Sequence, residues 1–431
     1  MLLRVQPAKR PLSGGYRPPG DKSVSHRAAI LGGLAEGETE IHGFLDSADT
    51  RATLNAMAAL GAQVDEANGV IRIVGGQLSA PDGDLDLGNS GTGMRLLCGA
   101  LAGRPELIGS SVRLVGDASL SSRPMARIID PLKQMGADIE SRDGRAPLII
   151  HPRRLHGIRY ELPVASAQVK SALLLAGLPA QGATELIEPG ISRDHSERML
   201  PGFGVSLKRH DLACSLVGGQ KLRGTVCRVP GDLSSAAFVL ASALLVPGSS
   251  VLLTGVGLNP TRDGVLRIVE IMGAQLPCKR TSGELEEPTG DLTVAAIPLQ
   301  GADIAPQMVP LAIDEFPVVM ALAARARGTT RIRGAEELRV KESDRLAVMC
   351  RELARLGVRV EEFPDGADIT GGHVRGGRVD SHGDHRIAMS LAVLALVADG
   401  PVEIENAEWI RTSYPSFVDD MRALGAEMEW K

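Results

Sequence analysis

Residues 18–31 read PPGDKSVSHRAAIL, and residues 230–240 read PGDLSSAAFVL. Each stretch has Pro-Gly-Asp, then serine, then an apolar run. Proline and glycine turn the chain, and an Asp or Ser ahead of an apolar run caps a helix by accepting from its free N–H groups. The shared part is therefore scaffold, used twice. Only the first copy carries cations: Leu233 stands in the place of Lys22, and nothing charged matches Arg27. A cap needs no lysine, so Lys22 and Arg27 read as an addition made for an anionic ligand.

The duplication is part of a larger repeat. RAAILGGLAEGETEIHG (27–43), ALLLAGLPAQGATELIE (172–188), LASALLVPGSSVLLTG (240–255), VVMALAARARGTTRIRG (318–334) and MSLAVLALVADGPVEIE (389–405) share one plan. Each is an apolar helical run, a turn and a short β-like stretch; MRLLCGALAGRPELIGSSVRLVG (94–116) fits with extra residues. An amphipathic helix follows each, ending in a hydrophobic residue and then Gly61, Gly136, Gly204, Gly273, Gly357 or Gly425. Glycine suits the left-handed position that terminates a helix. The spacing predicts six α/β units of about 70 residues. Three units are expected per lobe, with 21–228 as one lobe and 1–20 plus 229–431 as the other, the N-terminal strand joining the latter.

Composition bounds what such a chain does. It has 431 residues, 44% hydrophobic and 3% aromatic, so Leu, Ile, Val, Ala and Met must build the core. A formal net charge of −5 argues against a nucleic-acid surface, and any bound anion must be met by local Arg and Lys clusters. Five cysteines with no C-x-x-C spacing read as reduced thiols of a cytoplasmic protein. No apolar run approaches the roughly 20 residues of a membrane span.

Several other helix starts carry the same kind of cargo. DLDLGNSGTGMRLL has Gly88, Gly91 and Gly93 with Arg95; VASAQVKSALLL offers Ser166, Gln168 and Lys170; SSRPMARI sets Arg123 and Arg127 around an expected helix start at Pro124. LRVKESDRLAVM offers Lys341, Glu342 and Arg345, and GDHRIAMSL offers Asp384, His385 and Arg386. A helix N-terminus has free N–H groups and partial positive charge, so cations placed at several of them suit more than one phosphate or carboxylate. A nucleotide P-loop is excluded at Lys22-Ser23. Asp21 stands where that loop needs glycine, and Pro18 and Pro19 remove two N–H groups. His382 and His385 lack a third metal ligand in sequence, and no G-x-S-x-G elbow is present.

GDKSVSHR, LGNSGTGMRLL, SAQVKSALLLAGL, RDHSERML, NPTRDG, DEFPVVMALA, RVKESDRL and GDHRIAM occur in this order over nearly the whole chain. Together they resemble the 5-enolpyruvylshikimate-3-phosphate (EPSP) synthase family. The resemblance implies an α/β, two-lobed enolpyruvyl transferase fold of six βαβαββ units, closing on substrate. It implies transfer of the enolpyruvyl group of phosphoenolpyruvate to the 5-hydroxyl of shikimate 3-phosphate, without a metal or organic cofactor, in chorismate biosynthesis. By motif, Lys22, Ser23, Arg27, Ser166, Gln168, Arg193, Asp314 and Lys341 are expected on shikimate 3-phosphate, with Ser192 assisting. Lys22, Gly91, Arg123, Gln168, Arg345 and Arg386 are expected on phosphoenolpyruvate. Asp314 is expected as base on the hydroxyl, Glu342 as proton shuttle, with Lys22 beside them in the chemistry.

GDK, SAQVK, RDHSER and NPTR also resemble the class II subgroup less sensitive to glyphosate, which is then a weak inhibitor. The expected protein is a cytoplasmic monomer with no nucleic-acid or membrane partner. One departure concerns IRTSYPSF, where Thr412 replaces a lysine of some members and Arg411 stands one residue earlier. Two alternatives remain at this level. The sister transferase acting on UDP-N-acetylglucosamine uses a cysteine near the Arg123 region, but residues 99–213 hold none and Cys98 lies in an apolar run. A non-catalytic phosphometabolite-binding protein would need the cations without Asp314 and Glu342.

Overall fold

A computed structural model describes residues 1–281 and 287–431. Among these residues the strands form six four-stranded sheets on one plan. An edge strand runs parallel to its neighbour, and the other two pairings are antiparallel; Val226–Arg228, Gly37–His42, Val70–Gly75 and Gln63–Ala67 show the order. The sixth sheet is completed by the chain start. Leu3–Val5 lies antiparallel between Val402–Glu405 and Met428–Trp430, in the place that a hairpin strand takes elsewhere.

The chain divides into two compact units. Of the described residues, one holds Met1–Pro19, 231–281 and Pro288–Lys431; the other holds Gly20–Pro230 and Glu287. Each has its own hydrophobic core. In the second, the helices Lys22–Leu34, Gly91–Ala102 and Ala167–Gly177 are almost wholly buried, and in the first Leu233–Leu245, Phe316–Ala323 and His385–Ala395 are. They pack closely because they are rich in Ala, Ser and Gly. A Cβ on Gly99 would fall 2.1 Å from the carbonyl oxygen of Ala172, so only glycine lets those two helices approach this far. Strands such as Arg145–His151 and Thr289–Ala295 alternate buried and more exposed residues, as one-sided sheets do.

The repeated Pro-Gly-Asp turn behaves as its residues dictate. Asp21 caps Lys22–Leu34 by accepting from the Val24 N–H, and Asp232 caps Leu233–Leu245 by accepting from that of Ser234. All six helix-ending glycines have positive φ, from +83° at Gly357 to +113° at Gly425. The hydrophobic residue before each is buried: Leu60, Met135, Phe203, Met272, Leu356 and Leu424. One expected helix start is displaced. Arg123 closes a short helix, Ala118–Ser122, capped by Asp117, and the next helix begins only at Ala126. Pro124 lies between them, because a proline suits the gap after a helix as well as its first turn.

His26 joins the helices of the second unit. Its Nδ1 is 2.8 Å from Thr53 Oγ1 and its Nε2 3.5 Å from Ser90 Oγ, and the ring has no exposed surface. Burial, aided by the charges of Lys22 and Arg27, holds its pKa well below 6.5. The unfolded chain therefore binds the proton first, so this histidine removes stability as pH falls below about 6.5, by up to about 1.4 kcal/mol per pH unit. Urea midpoints between pH 7.5 and 5.5 should fall more steeply for the natural chain than for His26→Asn. Equal slopes would show that His26 is not the titrating group.

Candidate active site

In the second unit three helix starts are tied to one another. Arg27, 3% exposed, donates from Nε to Ser196 Oγ at 2.8 Å, from Nη2 to Ser171 Oγ at 2.7 Å and from Nη1 to the Ser23 carbonyl at 2.9 Å. Burial lowers its pKa to about 10, against the pull of Glu197 and Asp21, and the nearby charge of Arg193 adds to the fall. Lys22, one turn earlier on the same helix, forms an ion pair with the mostly buried Asp49. Gln168 joins its own helix to a fourth start, that of Gly91–Ala102: its Nε2 donates to Thr92 Oγ1 at 2.9 Å, and its Oε1 accepts from Arg95 Nη1 at 2.6 Å.

The Gly-rich turn is capped by Ser90, which accepts from the Gly93 N–H. A Cβ on Gly91 would lie 3.0 Å from Arg95 Nη1 and 3.2 Å from Arg123 Nη1. Gly91 thus keeps open a space bounded by two guanidinium groups. Arg123 is aimed there by Asn89, whose side-chain and main-chain oxygens both accept from it, while the Asn89 amide donates to Asp117. Ser166 is the N-cap residue of Ala167–Gly177, and Ser192 donates to Glu188. Lys170 is a different case. It is 3% exposed and paired with Glu188 at 2.5 Å and Glu197 at 2.7 Å, so it welds the core and has no free face for a ligand.

The first unit gathers carboxylates around one arginine. Arg345, 1% exposed, reaches Asp384 Oδ2 from Nε at 2.8 Å, Asp314 Oδ1 from Nη1 at 3.2 Å and Glu342 Oε2 from Nη2 at 2.5 Å. Burial alone would lower its pKa; Asp384, Glu342 and Asp314 together more than reverse this, and the guanidinium is held above its ordinary value. Asp384 has no exposed surface, caps His385–Ala395 and also accepts from Ser343 Oγ. Arg386 enters from that helix. Its Nη1 donates to the Asp314 carbonyl at 3.1 Å, and its Nη2 lies 3.8 Å from the Asp314 carboxylate. Lys341 has a pKa lowered by burial, against the pull of Asp314 and Glu337.

Two side chains weighed from the sequence are engaged elsewhere. The Arg411 guanidinium lies 5.6 Å from the Trp430 ring centre, a cation–π distance. Cys98 is fully buried, and burial pushes its thiol up to about 12, so it has neither access nor acidity for a proton-donor role. Asp49 and Asn89 are not singled out by the sequence, and Asp384 is singled out there without its partner Arg345. Each stands in a quoted or neighbouring motif, but its partner is distant along the chain.

The second unit offers cations at its helix ends, and the first holds two carboxylates, Asp314 and Glu342, on a single guanidinium. Residues 7–421 match the family model EPSP synthase (3-phosphoshikimate 1-carboxyvinyltransferase). Proteins named 3-phosphoshikimate 1-carboxyvinyltransferase are similar over the full length. That of Acidithiobacillus ferrooxidans is 55% identical over 417 residues, covering 96% of this chain and 95% of that protein. That of Alkalilimnicola ehrlichii is 54% identical over 426 residues, covering 97% and 94%. A solved EPSP synthase from Acinetobacter baumannii superposes with a TM-score of 0.89 at 43% identity, covering 100% of both chains. Motifs, six-sheet architecture and full-length similarity agree, and the chain belongs to the EPSP synthase family, the 3-phosphoshikimate 1-carboxyvinyltransferases.

Proposed function

We propose that the residues described above carry out the family's reaction between phosphoenolpyruvate and shikimate 3-phosphate, releasing phosphate. Lys22, Ser23, Arg27, Ser166, Gln168, Ser192, Arg193, Asp314 and Lys341 hold shikimate 3-phosphate. Lys22, Gly91, Arg123, Gln168, Arg345 and Arg386 hold phosphoenolpyruvate. The observation that carries the reading is the placement of Asp314 and Glu342 on one guanidinium, 3.2 and 2.5 Å away. A protein that only bound the two anions would have no use for acidic groups there.

In this reading the 5-hydroxyl oxygen attacks C2 of phosphoenolpyruvate and passes its proton to Asp314. Glu342 delivers a proton to the CH2 terminus, giving a tetrahedral adduct that carries a methyl group. The methyl then returns a proton to Glu342, and phosphate departs with the proton from Asp314. No atom is left over, and no electron acceptor is needed. Positioning and electrostatic stabilisation by the arginines supply the rate. Phosphate should appear only when both substrates are present. Release from phosphoenolpyruvate alone, or none with both, would overturn this assignment.

Gly91→Ala tests the anion cradle. A methyl group 3.0 and 3.2 Å from the Arg95 and Arg123 guanidinium groups occupies the open space, so the KM for phosphoenolpyruvate should rise at least about tenfold. The KM for shikimate 3-phosphate should change little, and steady-state kinetics with each substrate varied reads both.

Membership of the class II, glyphosate-insensitive subgroup is supported by GDK, SAQVK, RDHSER and NPTR. Glyphosate is then a weak inhibitor, and strong inhibition at low concentration alongside ordinary phosphoenolpyruvate affinity would refute it. We take 21–228 and 1–20 plus 229–431 as the functional lobes, and the protein as a cytoplasmic monomer. Among the described residues no helix is long and apolar enough to cross a membrane.

A further inference from the structure

Two buried ions in the first unit have no part in the reaction as written. Arg262, from NPTRDG, is 3% exposed, and Glu315, next to Asp314, is 1% exposed. Arg262 Nη2 donates to Asp232 Oδ1 at 3.0 Å and to Ser234 Oγ at 2.6 Å. The Ser234 hydroxyl passes the chain on by donating to Glu315 Oε1. That same oxygen lies 4.0 Å from Arg262 Nη2 and 3.8 Å from Arg386 Nη1. The carboxylate of Glu315 therefore stands between two guanidinium groups, and its Oε2 is buried with no hydrogen-bond partner among the described residues. Three segments far apart in sequence meet there: the second Pro-Gly-Asp turn, NPTRDG and DEFP.

An ion pair that served only the fold would need Arg262 and Glu315, and Arg386 could point anywhere. Here Arg386 lies between two carboxylates, Glu315 and Asp314, each 3.8 Å away and so beyond hydrogen-bond length. Among the described residues its guanidinium makes one short tie, to the Asp314 carbonyl at 3.1 Å. The two carboxylates pull on the guanidinium without capturing its N–H groups. Take away the charge of Glu315 and the remaining pull comes from Asp314. The guanidinium then closes on that carboxylate, where its donors face a protein oxygen in place of a bound anion.

We propose that Glu315 is a positioning residue for Arg386, with its own carboxylate oriented by Arg262 through Ser234, so that this buried relay sets the affinity for phosphoenolpyruvate. The inference rests on the reading of Arg386 as a phosphoenolpyruvate ligand. It explains why NPTRDG and the second Pro-Gly-Asp-x-Ser turn carry polar residues in a buried place: Asp232 and Ser234 do more than cap a helix.

The test uses the full-length enzyme and follows phosphate release with each substrate varied. Glu315→Gln preserves shape and can still accept from Ser234 while removing the charge. It should raise the KM for phosphoenolpyruvate at least fivefold and leave that for shikimate 3-phosphate within twofold. Ser234→Ala, a milder change, should raise the KM for phosphoenolpyruvate at least twofold, and it decides the matter if Glu315→Gln does not fold. A purely structural pair predicts a lower melting temperature with both KM values within twofold, or both rising together; either result overturns the proposal. Arg386→Lys separates the two levels. If it leaves the KM for phosphoenolpyruvate unchanged, the ligand assignment fails; if it raises that KM while Glu315→Gln does not, only the positioning role fails.

Discussion

Arg345→Met is expected to cost about 3–5 kcal/mol of unfolding free energy, because it leaves the fully buried Asp384 carboxylate, and the part-buried Asp314 and Glu342, without their shared counter-charge. Asp384 suffers most, since it has no exposed surface and loses the 2.8 Å donor from Nε. Burial already acts against the Arg345 charge, and three acidic groups are needed to outweigh it. The folded fraction should also lose about 10²–10³ in kcat/KM for phosphoenolpyruvate, the scale of losing one aimed donor in a desolvated site. Arg345→Lys keeps the charge but cannot donate along three fixed directions, so it should recover stability better than activity. Urea unfolding and steady-state kinetics on the same preparations read the two effects. A variant of unchanged stability would mean that the three carboxylates do not depend on this guanidinium.

Glu342→Gln is expected to lower kcat by about 10²–10⁴, the range for a positioned proton-transfer group. The amide keeps the shape and can still accept from Arg345 Nη2, now 2.5 Å from the carboxylate oxygen, so folding should be little affected. In the proposed mechanism the substitution removes proton delivery to the vinyl carbon and leaves the proposed anion ligands in place. KM for either substrate should therefore move far less than kcat. Asp314→Ala should show a similar loss of kcat together with weaker binding of shikimate 3-phosphate, because Asp314 is assigned both duties. Turnover retained in both variants would remove the carboxylates from the chemistry.

Much of the architecture was legible because the signals are local. Gly61, Gly136, Gly204, Gly273, Gly357 and Gly425 each need a left-handed backbone after a buried hydrophobic residue, and that requirement shows in a few adjacent letters. Asp21 and Asp232 cap their helices from within the turn that announces them. The cations at helix starts were legible for the same reason.

What the sequence could not give is partnership across long chain separations. Lys170 has the same local setting as Gln168, yet only folding shows that it turns inward to Glu188 and Glu197. Asp49 meets Lys22, Asn89 meets Arg123 and Asp384 meets Arg345 through pairings that no spacing rule predicts. Arg123 itself was legible as a cation but not as the end of a helix, since Pro124 serves a start and a stop equally well.

Turnover in deuterium oxide tests the addition–elimination route most directly. If Glu342 protonates the CH2 terminus and later takes a proton back from the resulting methyl group, deuterium must appear in the vinylic CH2 of the product, as mass spectrometry or proton NMR would register. Product formed with its vinylic hydrogens wholly unexchanged would contradict the account, because no methyl-bearing adduct could then lie on the path.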